Sequence, residues 1–570
     1  MSYVSAHLHY NDVLVVERSA GKRRIVKHRA PYFMYVEDPA GSATTMFGTA
    51  AKRLDFSRRR DMRDEREDLN SRGVRTFESD IKPEYKVLEA SYKGKPAPTL
   101  NTAFIDIEVL SRAKEGWARW NNPYAPISAV SIHRRWIGDT VTLALLPDDG
   151  RTYKEAEEQL AGIPDTIIFD SEVELLDAML ELLEDCDVVT GWNSYKFDVP
   201  YIVARLRIVL GGQSPDEFVD DDNERDEDVP TEVASVLRRL SPLSLPPRRR
   251  LVDSFGSKET VFDIPGRPHL DYLDLYKKFE INPRESYKLG YILWHEVKQT
   301  KVEYTGTLES LYYDDFRTYI LYNRQDVDGL VALDDKLGFI EVANIMAHMS
   351  CVFLEDSMGS VSKIEQAMVM KLHEMGMVAQ DKPFAESDGP VAGALVFDPQ
   401  PGLHDWMATL DVKSLYPSVI RMLNMSPETL IGQFDLTKTN RAIASLVSQG
   451  LPRAEAWARF TNTIEYGEIV EGDEFSTNTL DLVDGTKITK TSAEWKEIFE
   501  AGGMSLSANG TVFDLSREGL IPLVLTGWFE GRKEDQKKAA AAAREIEAML
   551  SECPIVEMKE SEALLEDDED

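Results

Sequence analysis

Closely spaced carboxylates are the first residues in this sequence that could do chemistry. In TAFIDIEVL (102–110), Asp106 and Glu108 stand two apart within an apolar run that has the pattern of a strand. Alternate side chains of a strand share a face, so these two point together while Ile105 and Ile107 point into a core. Neighbouring carboxylates repel unless protons or cations lie between them. An oxygen-only donor set suits magnesium or manganese; read alone, the pair could equally be an exposed strand end. In GWNSYKFDVPYI (191–202), Asn193 closes an apolar strand and Phe197-Asp198 leads into an amphipathic helix. Asp198 could there be a metal ligand or a helix N-cap. In YILYNRQDVDGL (319–330), Tyr322 and Asp326 are one helical turn apart on one face, so the phenol could place a water beside a cation held by Asp326. Asp328 falls elsewhere on that helix. A further aspartate, Asp411, ends the apolar run of TLDVKSLYPSVIRM (409–422), ahead of a short polar loop and a Tyr-Pro that opens a helix.

Such groups must be held by ordered elements. Between residues 103 and 338, TAFIDIEVL, ISAVSIHRRWIG and TVTLALL read as strands, SEVELLDAMLELLEDC has helical periodicity, and DVVTGWN returns to a strand. That alternation predicts an α/β domain with a mixed sheet. The first hundred residues alternate β-rich runs such as DVLVVER and APYFMYVED with polar turns, and a basic segment around 51–70 reads as helical. A helix near 360–378 precedes two sheet-like runs, ALVFD and WMATLDV. WFEGRKEDQKKAAAAAREIEAMLSE (528–552) is rich in helix formers and has no internal proline; beyond Pro554 the chain turns acidic and is expected to fray.

A chain of 570 residues is too long for one core, and three or four domains are expected. Hydrophobic content of 43% and charged content of 29% are those of a globular protein. No apolar run reaches membrane-spanning length, and the N-terminus lacks a signal-peptide pattern. Three scattered cysteines fit a reducing cytosol and argue against a zinc cluster. The net charge of −34 runs against phosphate contacts, which need Lys and Arg. Much of it, however, is concentrated in SPDEFVDDDNERDED (214–228) and the closing EDDED, while KRLDFSRRRDMRDER, LPPRRRL and GRKEDQKK are basic. DNA contacts confined to particular channels remain compatible with that distribution.

Taken in chain order, D-x-E at Asp106 and Glu108, N-x-x-x-F-D from Asn193 to Asp198, and Y-x-x-x-D at Tyr322 and Asp326 resemble the 3′→5′ proofreading exonuclease of family B DNA polymerases. The resemblance implies an RNase H-like domain in which Asp106, Glu108, Asp198 and Asp326 hold two divalent ions, Mg2+ or Mn2+, with Tyr322 beside them. TLDVKSLYPSVIRMLNMSPET (409–429) resembles the first polymerase motif of the same family, D-x-x-S-L-Y-P-S. By that resemblance Asp411 and the carbonyl of Val412 bind the catalytic metals. The amides of Ser414, Leu415 and Tyr416 face the incoming triphosphate. Tyr416 lies under the sugar, and Pro417 occupies the first helical turn.

Within the family the chain is most similar to replicative polymerases of T-even-like bacteriophages, also at HLDYLDLYKKF (269–279), ESYKLGYI (285–292) and LNMSPETLIG (423–432). LVDSFGSKETVFDI (251–264) resembles that group's strand-separating β-hairpin, with Gly256 and Ser257 at its tip. EGLIPLVLTGWFEGRKEDQKK resembles the entry to the fingers helix, where Arg532 would reach the triphosphate. The family often places a lysine four residues later; here position 536 is glutamine and the lysine is Lys537. Val391 in VAGALV stands where the family usually has tyrosine.

The family's K-x-x-x-N-S-x-Y-G and D-T-D-S motifs are absent from these 570 residues. The expectation is therefore a multidomain α/β and α+β chain: a β-rich N-terminal domain (1–102), an RNase H-like exonuclease domain (103–338), a helical return (339–384), a partial palm (385–514) and a first fingers helix with acidic tail (515–570). Its expected role is the N-terminal subunit of a split DNA-directed DNA polymerase. A complementary C-terminal chain would supply the other palm aspartate, the thumb and the link to a sliding clamp. Primer-template and single-stranded DNA and dNTPs would be its ligands, and the cytoplasm of an infected bacterium its place of action. The alternatives are a standalone 3′→5′ exonuclease with a vestigial palm, a non-catalytic DNA-binding assembly subunit, or a piece of a longer chain.

Overall fold

The structure, a computed structural model, describes residues 2–111, 115–214, 230–254, 257–302, 304–382, 399–412, 414–434, 438–452, 455–456 and 467–551. Gly256, Val391 with the ALVFD run, nearly all of the acidic stretch 214–228 and the acidic tail lie outside the described residues. The chain forms two compact units, one of residues 1–45, 50–370 and 378–381, the other of residues 46–49, 371–377 and 382–570.

The first unit opens with β1 (Ser2–His9), β2 (Asp12–Ser19) and β3 (Lys22–Arg29), an antiparallel meander. Val13, Val15 and Val16 of β2 are buried in it. Strands β4 (Tyr32–Glu37), β5 (Ala43–Thr45), β6 (Ala50–Phe56) and β7 (Thr76–Phe77) form a second sheet, followed in sequence by α2 (Pro83–Tyr92). The expected helix over 51–70 is only partly right, for α1 spans Arg59–Ser71. Residues 50–56 pair with β4 from Tyr32↔Phe56 to Glu37↔Ala51, so ladder partners outweigh helix propensity there.

A six-stranded mixed sheet follows, in the order β11 (Thr166–Phe169), β10 (Asp139–Leu145), β9 (Ile127–Arg134), β8 (Thr102–Val109), β12 (Val188–Gly191), β15 (His269–Asp271). β8, β9 and β10 are antiparallel neighbours, whereas β12 runs parallel to β8 and β15. Ile105 and Ile107 bury with Leu175, Leu176 and Met179 of α4 (Glu172–Leu182) and Val199 and Ile202 of α5 (Asp198–Arg205). The opposite face carries the small side chains Ala129 and Ala144, which pack with Phe316, Tyr319 and Ile320 of a 22-residue helix (Phe316–Leu337). In chain order the remaining helices of this region are α3 (Tyr153–Leu160), α6 (Thr231–Leu237), α7 (Tyr272–Phe279), α8 (Leu289–Val297) and α9 (Leu308–Asp314), which makes the 22-residue helix α10. Asp315 caps α10 by accepting from Thr318 N at 3.1 Å, and Gly338 ends it in the left-handed region at φ 64°. Between α6 and β15, β13 (Arg248–Ser254) and β14 (Ser257–Asp263) pair from Arg248↔Asp263 to Ser254↔Ser257, the expected hairpin.

In the second unit, five strands lie in the order 487–491, 477–482, 430–434, 511–514, 504–506. Phe434, Leu480, Trp495 and Val512 form its core. A nine-residue helix, Leu415–Leu423, stands ahead of this sheet, and a 32-residue helix, Leu520–Ser551, comes after it. The junction is stapled. Asn424 Nδ2 donates to Asp514 O (2.6 Å) and Arg517 O (2.8 Å), and its Oδ1 accepts from Gly519 N (2.8 Å). Glu428 Oε1 accepts from Leu520 N and Ser426 Oγ from Ile521 N, so amides that a helix start leaves without intrahelical partners are satisfied by the LNMSPET segment. The sheet-like reading of WMATLDV is not borne out: residues 407–412 belong to no strand, and Met407, Leu410 and Val412 are exposed. An extended run becomes a strand only beside a neighbour that pairs with it.

Candidate functional site

Because Asp106 and Glu108 alternate with Ile105 and Ile107 on β8, they rise from the face opposite α4 and α5. Asp198 enters as the first residue of α5. It makes no cap; instead its Oδ1 accepts from Ile107 N at 3.1 Å, which fastens α5 to the strand that carries the other two acids. Asp326 comes from the buried face of α10, with Asn323 three residues earlier. Asn323 Nδ2 donates to Asp106 Oδ2 at 2.7 Å and to Asp106 O at 3.2 Å, so β8 and α10 meet through the acid itself. Glu108, Asp198 and Asp326 are at least nine-tenths buried.

Burial and mutual repulsion act in one direction. Desolvation, then Asp198, Asp326 and Glu108, hold the Asp106 carboxyl well above the usual range. Glu108 is pushed up to about 8, first by burial and then by Asp326 and Asp198. Asp198 is pushed up to about 7 by burial, against hydrogen bonds from Ile107 N and its own amide. Asp326 is raised by burial, with Lys301 opposing. The four acids share one field, which together with burial favours their protonated forms, with Lys301 opposing at Asp326.

Lys301 is a residue that sequence reasoning missed. Its Nζ donates to Asp326 Oδ2 at 2.6 Å and lies 5.0 Å from the centre of the Tyr322 ring. Tyr322 is half-buried, meets Tyr304 edge-on at 5.4 Å, and has its phenol pushed up to about 12, chiefly by burial. Asp271 was missed too. It accepts from Asn193 N (3.0 Å) and Tyr195 N (2.9 Å), shaping the turn before Asp198, in which Asn193 adopts φ 62°. Asp328 accepts from Thr140 Oγ1 and faces away from the cluster, as its place on the helix predicts. Among the described residues, no three His, Cys, Asp or Glu side chains are gathered as a ready-made chelate; Asp106 Oδ2 accepts from Asn323 and Asp326 Oδ2 from Lys301. The donor chemistry nevertheless fits a divalent cation: oxygen only, buried, and uniformly acidic.

The polymerase-motif residues stand apart from such a setting. Asp411 and Val412 are exposed, Ser414 has φ 53° at the start of the 415–423 helix, and Leu415 and Tyr416 face solvent. That helix meets the 520–551 helix through Arg421, whose Nε donates to Thr526 Oγ1 at 3.0 Å and whose guanidinium lies 5.2 Å from the Phe529 ring. Arg532 and Lys537 are exposed on the long helix; Lys538 pairs with Glu534 at 2.9 Å along the same surface.

Two family models match the chain: DNA polymerase family B over residues 350–553, and the exonuclease domain of DNA polymerase family B over residues 68–292. Asp106, Glu108, Asp198 and Asp411 fall inside these spans, while Lys301, Tyr322 and Asp326 fall between them. Among curated proteins, the DNA-directed DNA polymerase of Enterobacteria phage T4 is 28% identical over 67% of this chain and 34% of its own length. That of Escherichia phage RB69 is 30% identical over 55% of the chain and 31% of its length. The DNA polymerase delta catalytic subunit of Arabidopsis thaliana is 25% identical over 48% and 24%. The chain thus spans about a third of the length of these phage relatives.

Proposed function

This chain belongs to DNA polymerase family B, and on that footing we propose that its first unit is a metal-dependent 3′→5′ exonuclease acting on single-stranded DNA ends. The observation that carries the proposal is the meeting of Asp106, Glu108, Asp198 and Asp326, from a strand and two helices, in one buried acidic cluster. These four would hold two magnesium or manganese ions. When bound, the ions supply an activated water and stabilise the leaving 3′ oxygen. The chain's own residues do the rest. Asn323 orients Asp106, Lys301 keeps a positive charge beside Asp326, and Tyr322 presents its hydroxyl at the same face. The hairpin β13–β14 would separate strands as a primer end moves over. Digestion of a 5′-labelled single strand by the full chain, with Mg2+ and with chelator, tests the reading. Cleavage from the 3′ end that chelator stops is expected; no cleavage, or cleavage indifferent to chelator, refutes it.

The second unit carries half of a polymerase site. Asp411 and the carbonyl of Val412 would share two further ions with a carboxylate that residues 1–570 do not present in a D-T-D-S motif. The amides of Ser414, Leu415 and Tyr416, with Arg532 and Lys537, would meet the triphosphate of a dNTP. Support comes from exposure: Met407, Leu410, Val412, Leu415, Tyr416 and Met422 are apolar or aromatic and bare, a surface that further palm strands would cover. The arrangement proposed is a separate complementary chain that also binds a sliding clamp, working on primer-template DNA in an infected bacterium. Primer extension by the mixture but not by either chain supports it, and digestion without extension in any mixture favours the standalone exonuclease.

A further inference from the structure

The geometry points to Gln325 as a positioning residue of the acidic cluster: it fixes the strap Thr300–Val302 so that the Lys301 ammonium stays on Asp326 and competes there with the entering divalent cation. This rests on the exonuclease reading above. Gln325 lies on α10 between Tyr322 and Asp326, and both ends of its amide are used. Nε2 donates to Thr300 O at 2.6 Å, and Oε1 accepts from Val302 N at 2.7 Å. The two bonds bracket Lys301 in sequence, so the backbone on either side of the lysine is tied to the helix that carries its partner. The same strap sends Tyr304 edge-on to Tyr322, with the rings at 86°. A second device acts on the lysine stem. A Cβ on Gly290 of α8 would come within 3.1 Å of Lys301 Cγ and Cδ, so the missing side chain leaves the stem its channel.

A lysine side chain has many rotamers and loses much freedom when it is fixed. Loop backbone alone would hold its ammonium loosely; a glutamine bonded at both ends, with a glycine clearing the path, holds it at one carboxylate oxygen. There the ammonium contests Asp326 with any other cation, and it keeps a fixed positive charge where a phosphodiester must approach four acids. Releasing the strap should therefore move two quantities in opposite directions: cation affinity up, turnover down. Loss of structure would lower both.

The test uses the full chain, Mn2+ by titration calorimetry and a labelled single strand. Gln325→Leu, close in size but unable to bond, should bind Mn2+ several-fold tighter. Its kcat should fall roughly ten- to a hundredfold, as for a charged group misplaced by about 1 Å, with KM little changed. Gly290→Ala, which favours the helix, should keep or raise Tm yet shift both quantities the same way by less. In a Lys301→Met background, Gln325→Leu should alter neither. The inference is overturned if Gln325→Leu leaves Mn2+ affinity and kcat at wild-type values, if it weakens Mn2+ binding along with Tm, or if its effects persist undiminished without Lys301. A wild-type chain that digests nothing would refute the exonuclease reading, while the calorimetric arm would still decide the role of Gln325.

Discussion

Asp106 and Asp411 both follow an apolar run, yet their surroundings are opposites. Asp106 sits among three other acids beneath α10, with its Oδ2 accepting from Asn323 and its carboxyl raised by burial and by Asp198, Asp326 and Glu108. Asp411 is exposed on a segment that pairs with no strand among the described residues, beside apolar side chains that are exposed as well. A cluster of like charges is costly to assemble and must be paid for by the packing of a completed sheet. A lone carboxylate needs no such support and can wait in water. On the proposed reading, the contrast separates a site built from four acids of this chain from one to which Asp411 contributes.

The comparison breaks most visibly by removing ligands. Asp106→Ala with Glu108→Ala should cut digestion of single strands by on the order of a thousandfold, the loss of several kcal/mol of transition-state stabilisation. Asp411→Ala should leave digestion unchanged and abolish primer extension in the reconstituted mixture. If both variants lose digestion together, the two sites are not independent.

Next in size is an effect on the second unit's stability. Asn424→Ala deletes a buried side chain that makes three hydrogen bonds to backbone and leaves two carbonyls and an N–H to find other partners. It should cost roughly 2–4 kcal/mol in urea unfolding of that unit, with digestion by the first unit intact.

A pH experiment sharpens the contrast further. In chelator, Glu108 (raised to about 8) and Asp198 (raised to about 7) keep protons that the unfolded chain releases in the ordinary carboxylate range. Raised values mean that stability is full below that range and drains as pH climbs towards 8. The Tm advantage of Asp106→Asn with Glu108→Gln over wild type should be near zero at pH 3 and grow as pH rises towards 8, and Mn2+ should shrink it. The smallest effect is expected at Lys538: its exposed pair with Glu534 should be replaceable by alanine without measurable change in unfolding.

Much of the acidic cluster was legible because its spacing obeys local rules. Period two placed Asp106 and Glu108 on one face, and one helical turn joined Tyr322 to Asp326. Asp198 was ambiguous between cap and ligand; only the amide of Ile107, 91 residues away, decides against the cap. Asn323 was in reach of the same helical reasoning, since it is three residues from Asp326 on the buried face. Lys301, Gln325 and Asp271 were not, for their partners are tertiary: 25 residues separate Gln325 from Thr300, and 78 separate Asp271 from Asn193. The helix expected over 51–70 failed at its start because β4 offered residues 50–56 a ladder. The strand expected at 406–412 failed for the converse reason. Alternation states what side chains prefer, while hydrogen-bond partners settle what the backbone does.

The staple formed by Asn424, Ser426 and Glu428 has a mechanical consequence. It clamps one end of a 32-residue helix that extends about 48 Å at 1.5 Å per residue, with residues 530–549 exposed. A rod held only at its root is a cantilever: a push near the tip returns as torque at the clamp. The clamp adjoins the helix that begins at Leu415, so swinging the rod would tilt the very amides proposed to face a nucleotide.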